Sequence, residues 1–161
     1  MRTARSLHSD TRIGHVIETR YAGRKFRSRL EARWCVLFEN MHLAWEYERE
    51  GYRLPSGLYL PDFYIPEWHA WIEIKPSPVC SSMSRICRLL CELRRFTGKK
   101  RAFAIFGAPD LIRGSEILNE RGSRIATHLD ERGPTNEAPF EGIAYQAYRA
   151  AMEERFNGTS A

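Results

Sequence analysis

The sequence contains no long hydrophobic run, and this absence argues against a membrane protein. Its apolar segments are much shorter than the roughly 20 consecutive residues that cross a bilayer, so no membrane partner is expected. The basic residues of the opening MRTARSLHSDTRIGH are not followed by an apolar stretch, so a secretory signal is not predicted. With 161 residues and no internal repeat, the chain is expected to form one domain in the cytoplasm.

Cysteine is also scarce, with four residues in the chain. They do not form the dense pattern of a small secreted fold held by disulfides. Cys80, Cys87 and Cys91 are seven and four positions apart, which places them on one face if that segment is helical. Zinc sites usually use closer pairs such as CxxC, and the five histidines show no HxxxH spacing. Core-facing free thiols are therefore favoured, with a zinc or iron–sulfur site as the alternative.

The net charge of +5 is unevenly distributed along the chain. Residues 1–29 carry eight basic and two acidic side chains, and residues 85–101 carry seven and one. Residues 30–84, in contrast, carry eight acidic and four basic side chains. An acidic centre between two basic stretches suits a polyanion held over a metal site. The alternative is a solvated tail and a solvated helix face.

The periodicity of apolar residues predicts two helices and four strands before residue 108. FRSRLEARWCVLFENM has apolar residues at helical spacing, and Ser28 followed by Glu31 forms a capping-box pattern. The segments WEYERE, LYLPDFYI and AWIEIK then predict an antiparallel meander, with GYRLPSG as a turn. SMSRICRLLCELRRFTG predicts a second helix that stops at Gly98, and KKRAFAIFG predicts a buried strand.

The predicted order α-β-β-β-α-β is typical of an α/β (α+β) protein. The last strand can return beside the third through the helical crossover, which makes a mixed four-stranded sheet flanked by helices. The predicted organisation is a basic arm over residues 1–24, a core over 25–107 and a C-terminal extension over 108–161. For residues 108–139 we expect loops and at most one short helix. The segment PFEGIAYQAYRAAMEERF predicts a terminal amphipathic helix. The apolar stripe of that helix comprises Phe140, Ile143, Ala147, Ala150 and Ala151.

Three charged residues interrupt the apolar strands, where an unpaired charge is costly. Asp62 lies inside LYLPDFYI, and Glu73 and Lys75 lie inside AWIEIK. Strand alternation puts Glu73 and Lys75 on one face, and pairing of the two strands brings Asp62 close. Glu31 lies at the start of the helix expected to pack on the sheet.

Carboxylates this close raise one another's pKa unless a cation intervenes. Oxygen ligands favour hard divalent ions such as Mg²⁺ or Mn²⁺. A metal-bound water beside Lys75 is then a candidate nucleophile for a phosphodiester. The alternatives are a capping role for Glu31, a turn role for Asp62 and a solvated edge strand for Glu73 and Lys75.

The order and spacing of these residues resemble a known pattern. A PD dipeptide that ends at Asp62, ten further residues and then EIK from Glu73 resemble the PD-(D/E)XK nuclease superfamily, which often has a glutamate on its first helix. The chain looks like the small nuclease-like proteins of phages and bacteria, which are related in fold to junction resolvases and transposon-end nucleases. The resemblance covers roughly residues 26–107. It implies a restriction-endonuclease-like core and a cytoplasmic location in a bacterium or a phage-infected host.

The resemblance also implies a Mg²⁺- or Mn²⁺-dependent DNA endonuclease with assigned residues. Asp62, Glu73 and the Ile74 carbonyl would bind the metal, and Lys75 would orient or deprotonate water. Glu31 would hold a metal-bound water or assist a second ion. Family members often carry a glutamine shortly after the lysine, but Pro-Ser-Pro follows here, so that auxiliary contact is missing or is supplied elsewhere.

The expected partner is DNA, bound by a single chain, a homodimer or a larger assembly. One alternative function is a non-catalytic module that binds nucleic acid or protein, and another is a nuclease subunit of a recombination or transposition assembly. The candidate phosphate-binding residues lie in the two basic stretches: Arg24, Lys25, Arg27, Arg29, Arg94, Arg95, Lys99 and Lys100.

Overall fold

The computed structural model describes residues 16–78, 80–99 and 101–156, in which three α-helices pack around a mixed sheet. The helices are α1 (Arg29–Asn40), α2 (Cys80–Thr97) and α3 (Gly142–Glu153). The strands are β1 (Thr19–Tyr21), β2 (Arg24–Phe26), β3 (Glu46–Tyr47), β4 (Tyr52–Leu54), β5 (Gly57–Tyr59), β6 (Phe63–Ile65), β7 (Ala70–Lys75), β8 (Arg101–Phe106), β9 (Glu116–Asn119), β10 (Arg124–Ala126), β11 (His128–Asp130) and β12 (Gly133–Thr135). In these ranges, no helix is long and apolar enough to cross a bilayer.

Helix α1 begins where the capping pattern predicts. The Glu31 backbone N–H donates to the Ser28 hydroxyl at 3.1 Å, which satisfies one of the free donors of the first turn. Trp34 is buried, and its indole Nε1 donates to the Gly107 carbonyl at 3.0 Å. This bond ties α1 to the residue that follows β8. The start of α1, and Glu31 with it, is therefore held against the sheet.

The six-stranded sheet has the order β10-β9-β8-β7-β6-β3. Strand β7 pairs antiparallel with β6, with Phe63 opposite Ile72, and parallel with β8, with Ala70 opposite Arg101. Helix α2 makes the crossover between the two parallel strands, and Gly98 ends it with a positive φ of 65°. The predicted meander, crossover and mixed α+β class are confirmed.

The extent of the sheet was predicted wrongly, because residues 108–139 form strands rather than loops. Strand β9 pairs with β8 and β10 pairs with β9, so the sheet has six strands instead of four. A separate hairpin is formed by β11 and β12. Each of these strands has only three or four residues. Such segments are too short to show the alternation that identifies a strand.

The segment LYLPDFYI does not form the continuous strand that was predicted. Its start belongs to β5 and its end to β6. Strand β5 pairs with β4, which lies within the GYRLPSG segment that was predicted to be a turn. Pro61 lies at the break, and proline lacks the N–H that a central ladder needs. The WEYERE segment is also shorter than predicted, since Glu48 has a positive φ of 44° just after β3.

Each face of the sheet carries its own apolar core. One core lies beneath α1 and α3 and includes Phe63, Ile72 and Phe103, while the other lies beneath α2 and includes Trp71 and Leu90. Strand β7 contributes to both cores, as expected for a central strand. Its carboxyl end is therefore a rigid support for polar groups.

Helix α3 packs on α1 through its small residues, although its predicted apolar stripe was partly wrong. Ala147 and Ala151 are buried as expected, but Phe140 is 82% exposed and Ile143 is 46% exposed. Tyr148, which the stripe omitted, is fully buried, and its hydroxyl accepts a hydrogen bond from the Leu129 N–H at 2.9 Å.

We expect Tyr148→Phe to lower the free energy of unfolding by about 1–3 kcal/mol, because the buried Leu129 N–H loses its acceptor. Tyr145→Phe on the same helix is the matched control, with an expected change within about 0.5 kcal/mol for a surface position. Urea unfolding with an unchanged m-value measures both variants. Equal midpoints for the two variants would contradict the assigned hydrogen bond.

Candidate functional site

Three carboxylates converge at the carboxyl end of β7. Glu73 and Lys75 share one face of this strand, and the pairing of Phe63 with Ile72 places Asp62 beside Glu73. Glu31 approaches from the first turn of α1. The exposed fractions are only 1% for Asp62, 5% for Glu73 and 8% for Glu31. The four residues predicted to act together are thus brought together.

Asp62 is held by two donors that come from different parts of the chain. The Arg27 guanidinium Nη2 donates to its Oδ1 at 2.6 Å, and the Ile74 backbone N–H donates to its Oδ2 at 2.7 Å. The ion pair with Arg27 satisfies a carboxylate that is otherwise enclosed by protein. The backbone contact fixes Asp62 against β7, just before Phe63, the first residue of β6.

Glu73 also has two partners, one from its own strand and one from a hairpin. Lys75 Nζ lies 2.5 Å from Oε1, and the Tyr59 hydroxyl donates to Oε2 at 2.7 Å. Tyr59 belongs to β5, so the β4–β5 hairpin closes one side of the site. Its role was not predicted, and its position three residues before Asp62 was the only local signal.

The side chain of Glu31 belongs to the site, while its backbone takes part in the cap of α1. The Ser28 hydroxyl caps α1 by accepting the Glu31 backbone N–H, and the side-chain Oε2 of Glu31 accepts a hydrogen bond from the Tyr47 hydroxyl at 2.5 Å. The Tyr47 oxygen in turn accepts the Arg27 backbone N–H at 3.0 Å. Arg27 Nε also forms an ion pair with Glu48. The sequence did not indicate a site role for Tyr47.

The crowding of like charges changes how these groups ionise. Burial and the negative charge of Glu73 raise the pKa of Asp62 well above its ordinary value, and Lys75 only partly offsets them. Burial opposes the charge of Lys75, but Glu73 and Asp62 outweigh it and raise the pKa of the ammonium. Burial also opposes the charge of Arg27, but Asp62, the Tyr47 hydroxyl, Glu31 and Glu48 together outweigh it and raise the pKa of the guanidinium. Lys75 and Arg27 are therefore fixed positive charges.

The oxygen atoms at this edge fit a hard divalent cation. The Lys75 carbonyl accepts from the Gly107 N–H on the β8 side. Because backbone groups alternate along a strand, the Ile74 carbonyl faces the other side, where its N–H already binds Asp62. Asp62, Glu73 and this carbonyl thus form an all-oxygen donor set. In the described ranges, however, no three His, Cys, Asp or Glu side chains are grouped as ligands.

A cavity of about 550 Å³ opens beside the carboxylates. Arg27, Arg29, Glu31 and Lys75 line it, together with apolar groups of Val16, Ile17, Leu30, Ile74 and Pro76. Arg29 Nε is buried and has no hydrogen-bond partner among the described residues. The cavity therefore offers positive charge and room for a ligand next to Lys75.

The candidate phosphate-binding residues form two separate groups. In the first group, Arg27 and Arg29 line the cavity beside the carboxylates, whereas Arg24 stacks over Trp45 and Lys25 pairs with Glu18 at 2.8 Å.

The other basic group lies near Trp71, whose indole donates to the Thr97 hydroxyl at the end of α2. Its described members are Arg94, which pairs with Glu120 at 3.4 Å, Arg95, and Lys99, whose Nζ lies 4.9 Å from the centre of the Tyr64 ring. Lys100 lies outside the described residues.

The cysteines are free where the structure describes them. Cys35 is buried beneath α1, and Cys87 and Cys91 are half-buried on α2. The Cys80 side chain lies outside the described part of the chain.

No protein-family model, curated protein or solved structure matches this chain. Interpretation of the site therefore depends on the residues themselves: their order, their burial and their convergence at the end of β7.

The raised pKa of Asp62 predicts that this carboxylate destabilises the metal-free protein at neutral pH. Because the folded state keeps the Asp62 proton to higher pH than the unfolded state, stability falls as the pH rises from about 4 through the raised pKa. We expect Asp62→Asn to raise the melting temperature at pH 8 in EDTA by at least about 2 °C, or roughly 1 kcal/mol. The gain should shrink as the pH is lowered toward 4.

Asp110→Asn is the control of opposite sign for this measurement. The backbone N–H groups of Arg113 and Ile112 lower the pKa of Asp110, so its charge stabilises the fold and its neutralisation should lower the melting temperature at pH 8. A lower melting temperature for Asp62→Asn at pH 8 would mean that the Arg27 ion pair outweighs burial.

Proposed function

We propose that the chain is a metal-dependent DNA endonuclease that hydrolyses phosphodiester bonds. The observation that carries the proposal is the convergence of three buried carboxylates and one ammonium at the end of a central strand. Burying three acids is unfavourable for stability, and in a structural ion pair one acid would suffice. Such groups are typical of a site that handles cations and phosphate.

The arrangement around β7 supports the finer proposal of a restriction-endonuclease-like core. Helix α1 precedes the meander of β3, β6 and β7, and α2 leads to the parallel strand β8. In that core, β9 and β10 would be additions at one edge, and the β4–β5 hairpin would be an insertion between the first two strands.

Each site residue has a proposed role. Asp62, Glu73 and the Ile74 carbonyl would hold Mg²⁺ or Mn²⁺, which when bound would supply a positive charge that polarises the phosphate and acidifies water. Water would attack phosphorus as the bond to the leaving oxygen breaks, and the leaving oxygen would take a proton from solvent. Because Lys75 is a fixed ammonium, it stabilises the charge that develops on the phosphate oxygens. Glu31 orients the attacking water and accepts its proton.

One observation favours a second function, a non-catalytic nucleic-acid-binding module. Asp62 and Glu73 already have cationic partners, Arg27 and Lys75, which neutralise them without a metal. A protein without hydrolytic activity could keep this arrangement to bind nucleic acid. Homodimerisation or a place in a recombination or transposition assembly is compatible with either function.

Cleavage assays test the enzymatic proposal. We expect supercoiled, linear, single-stranded or four-way-junction DNA to be cut in Mg²⁺ or Mn²⁺ and not in EDTA. Asp62→Asn and Lys75→Met should each reduce the rate by about 10²–10⁴. Asp130→Asn, which removes a half-buried carboxylate paired with Arg132 on the separate β11–β12 hairpin, should retain the wild-type rate. Binding without cutting in either metal would favour the second function.

The salt dependence of binding tests the two basic groups. Each lost phosphate contact reduces the slope of log K against log salt by about 0.9 on duplex DNA. On a long duplex we expect Arg24→Gln/Lys25→Gln and Arg94→Gln/Arg95→Gln each to reduce the slope by about 1.8. An oligonucleotide shorter than the roughly 27 Å of α2 does not span both groups, so on it no more than one of the two pairs should change the slope.

The control for the salt experiment is Arg53→Gln/Arg132→Gln, which removes two exposed charges elsewhere on the surface. Its slope should equal that of the wild type on both DNAs. If a basic pair behaves like this control on long DNA, that pair does not contact phosphate.

A further inference from the structure

Arg27 is the residue on which most of the site's charges meet. Its guanidinium contacts Asp62 and Glu48, and its backbone N–H binds the Tyr47 oxygen that in turn donates to Glu31. The Arg27 side chain is 54% exposed, yet it contacts a carboxylate that is 1% exposed. It therefore lies at the boundary between the buried acids and solvent.

The position of Arg27 conflicts with metal binding at the same carboxylate. The guanidinium lies 2.6 Å from Asp62 Oδ1, and a cation bound to Asp62 would face this fixed positive charge at close range. Lys75 lies equally close to Oε1 of Glu73, the second proposed ligand, but it is carried by the same strand and stays at the site in its proposed role. Arg27 comes from another part of the chain, so metal binding at Asp62 requires Arg27 to move.

Arg27 has a second carboxylate partner. Glu48 already contacts its Nε, so the guanidinium keeps a carboxylate partner when it leaves Asp62. Arg27 also lines the cavity that Lys75 and Glu31 share. A phosphate in that cavity can take two parallel hydrogen bonds from a guanidinium, which is a stronger interaction than a point charge makes.

We propose that Arg27 is a displaceable counter-cation that couples metal binding to nucleic-acid binding. Without nucleic acid it neutralises Asp62 and weakens metal binding. A phosphodiester draws the guanidinium away from Asp62, and the vacated oxygen becomes available to the metal. This inference rests on the proposed function and assigns to Arg27 the role of a positioning and regulatory residue.

The coupling must be reciprocal, because the free energy of a two-ligand cycle does not depend on the order of binding. Nucleic acid should tighten metal binding by the same factor as metal tightens nucleic-acid binding. Typical couplings are about 5–150-fold. A protein built in this way holds little metal at rest and assembles its site on the substrate.

Mn²⁺ binding, followed by electron paramagnetic resonance, tests the inference without relying on activity. The titration is made with the full chain, alone and with a short phosphorothioate DNA that resists hydrolysis, as single strand and as duplex. For the wild type we expect at least one of the DNAs to lower the Mn²⁺ dissociation constant by about 5-fold or more. Arg27→Gln should bind Mn²⁺ tightly without DNA, and its coupling should fall below about twofold.

Two variants serve as controls in the same titration. Arg20→Gln removes an equal charge from an exposed position on β1 and should keep the wild-type coupling. Asp62→Asn should lose tight Mn²⁺ binding, which shows that the titration reports on this site. If Arg27→Gln does not fold, Arg27→Lys replaces it. Lysine lacks the planar guanidinium and holds Asp62 more weakly, so this variant should bind Mn²⁺ without DNA more tightly than the wild type does.

Two results would overturn the inference, and they are distinguishable. In the first result, Mn²⁺ binding depends on Asp62, but neither DNA changes it, or it is equally weak in the wild type and in the Arg27 variants. That result refutes the role of Arg27 and leaves the proposed function intact. The absence of Asp62-dependent Mn²⁺ binding in every variant, with and without DNA, refutes the metal-dependent function and the inference with it.

Discussion

The burial of three carboxylates at one end of β7 is the constraint around which this structure is organised. Like charges in an enclosed site repel, and burial adds a desolvation penalty for each. Several elements supply compensation: Arg27 after β2, Lys75 on β7, and the hydroxyls of Tyr47 and Tyr59. Without these partners, the acids could not be ionised together in a folded protein.

The scaffold explains how such a cluster is tolerated. Strand β7 is paired on both edges and packed on both faces, so its backbone is fixed by the sheet and by two apolar cores. The Trp34–Gly107 hydrogen bond holds α1 against the same end of the sheet. Rigid elements therefore carry Glu31, Glu73 and Lys75, while Tyr59 comes from the β4–β5 hairpin and Arg27 follows the β1–β2 hairpin.

Long elements with caps or a clear period were predictable, and short ones were not. Helix α1 follows from the Ser28 cap and its apolar spacing, and α2 ends at Gly98 as expected. The strands after residue 108 have only three or four residues each, so neither alternation nor composition identified them. Tyr148 carries a polar hydroxyl, so its burial requires a hydrogen-bond partner. That partner is the backbone N–H of Leu129, which is distant in sequence.

The sequence by itself determined that Asp62 lies beside Glu73 and Lys75, because alternation and strand pairing are local rules. It also determined that Glu31 lies at the start of α1. Only the tertiary structure decided that Arg27 pairs with Asp62, that Tyr59 binds Glu73, and that Arg27 and Arg29 line one cavity with Lys75. No regular spacing in the sequence links the partners in these contacts. The contacts depend on how hairpins and helices pack, and not on the propensities of any single segment.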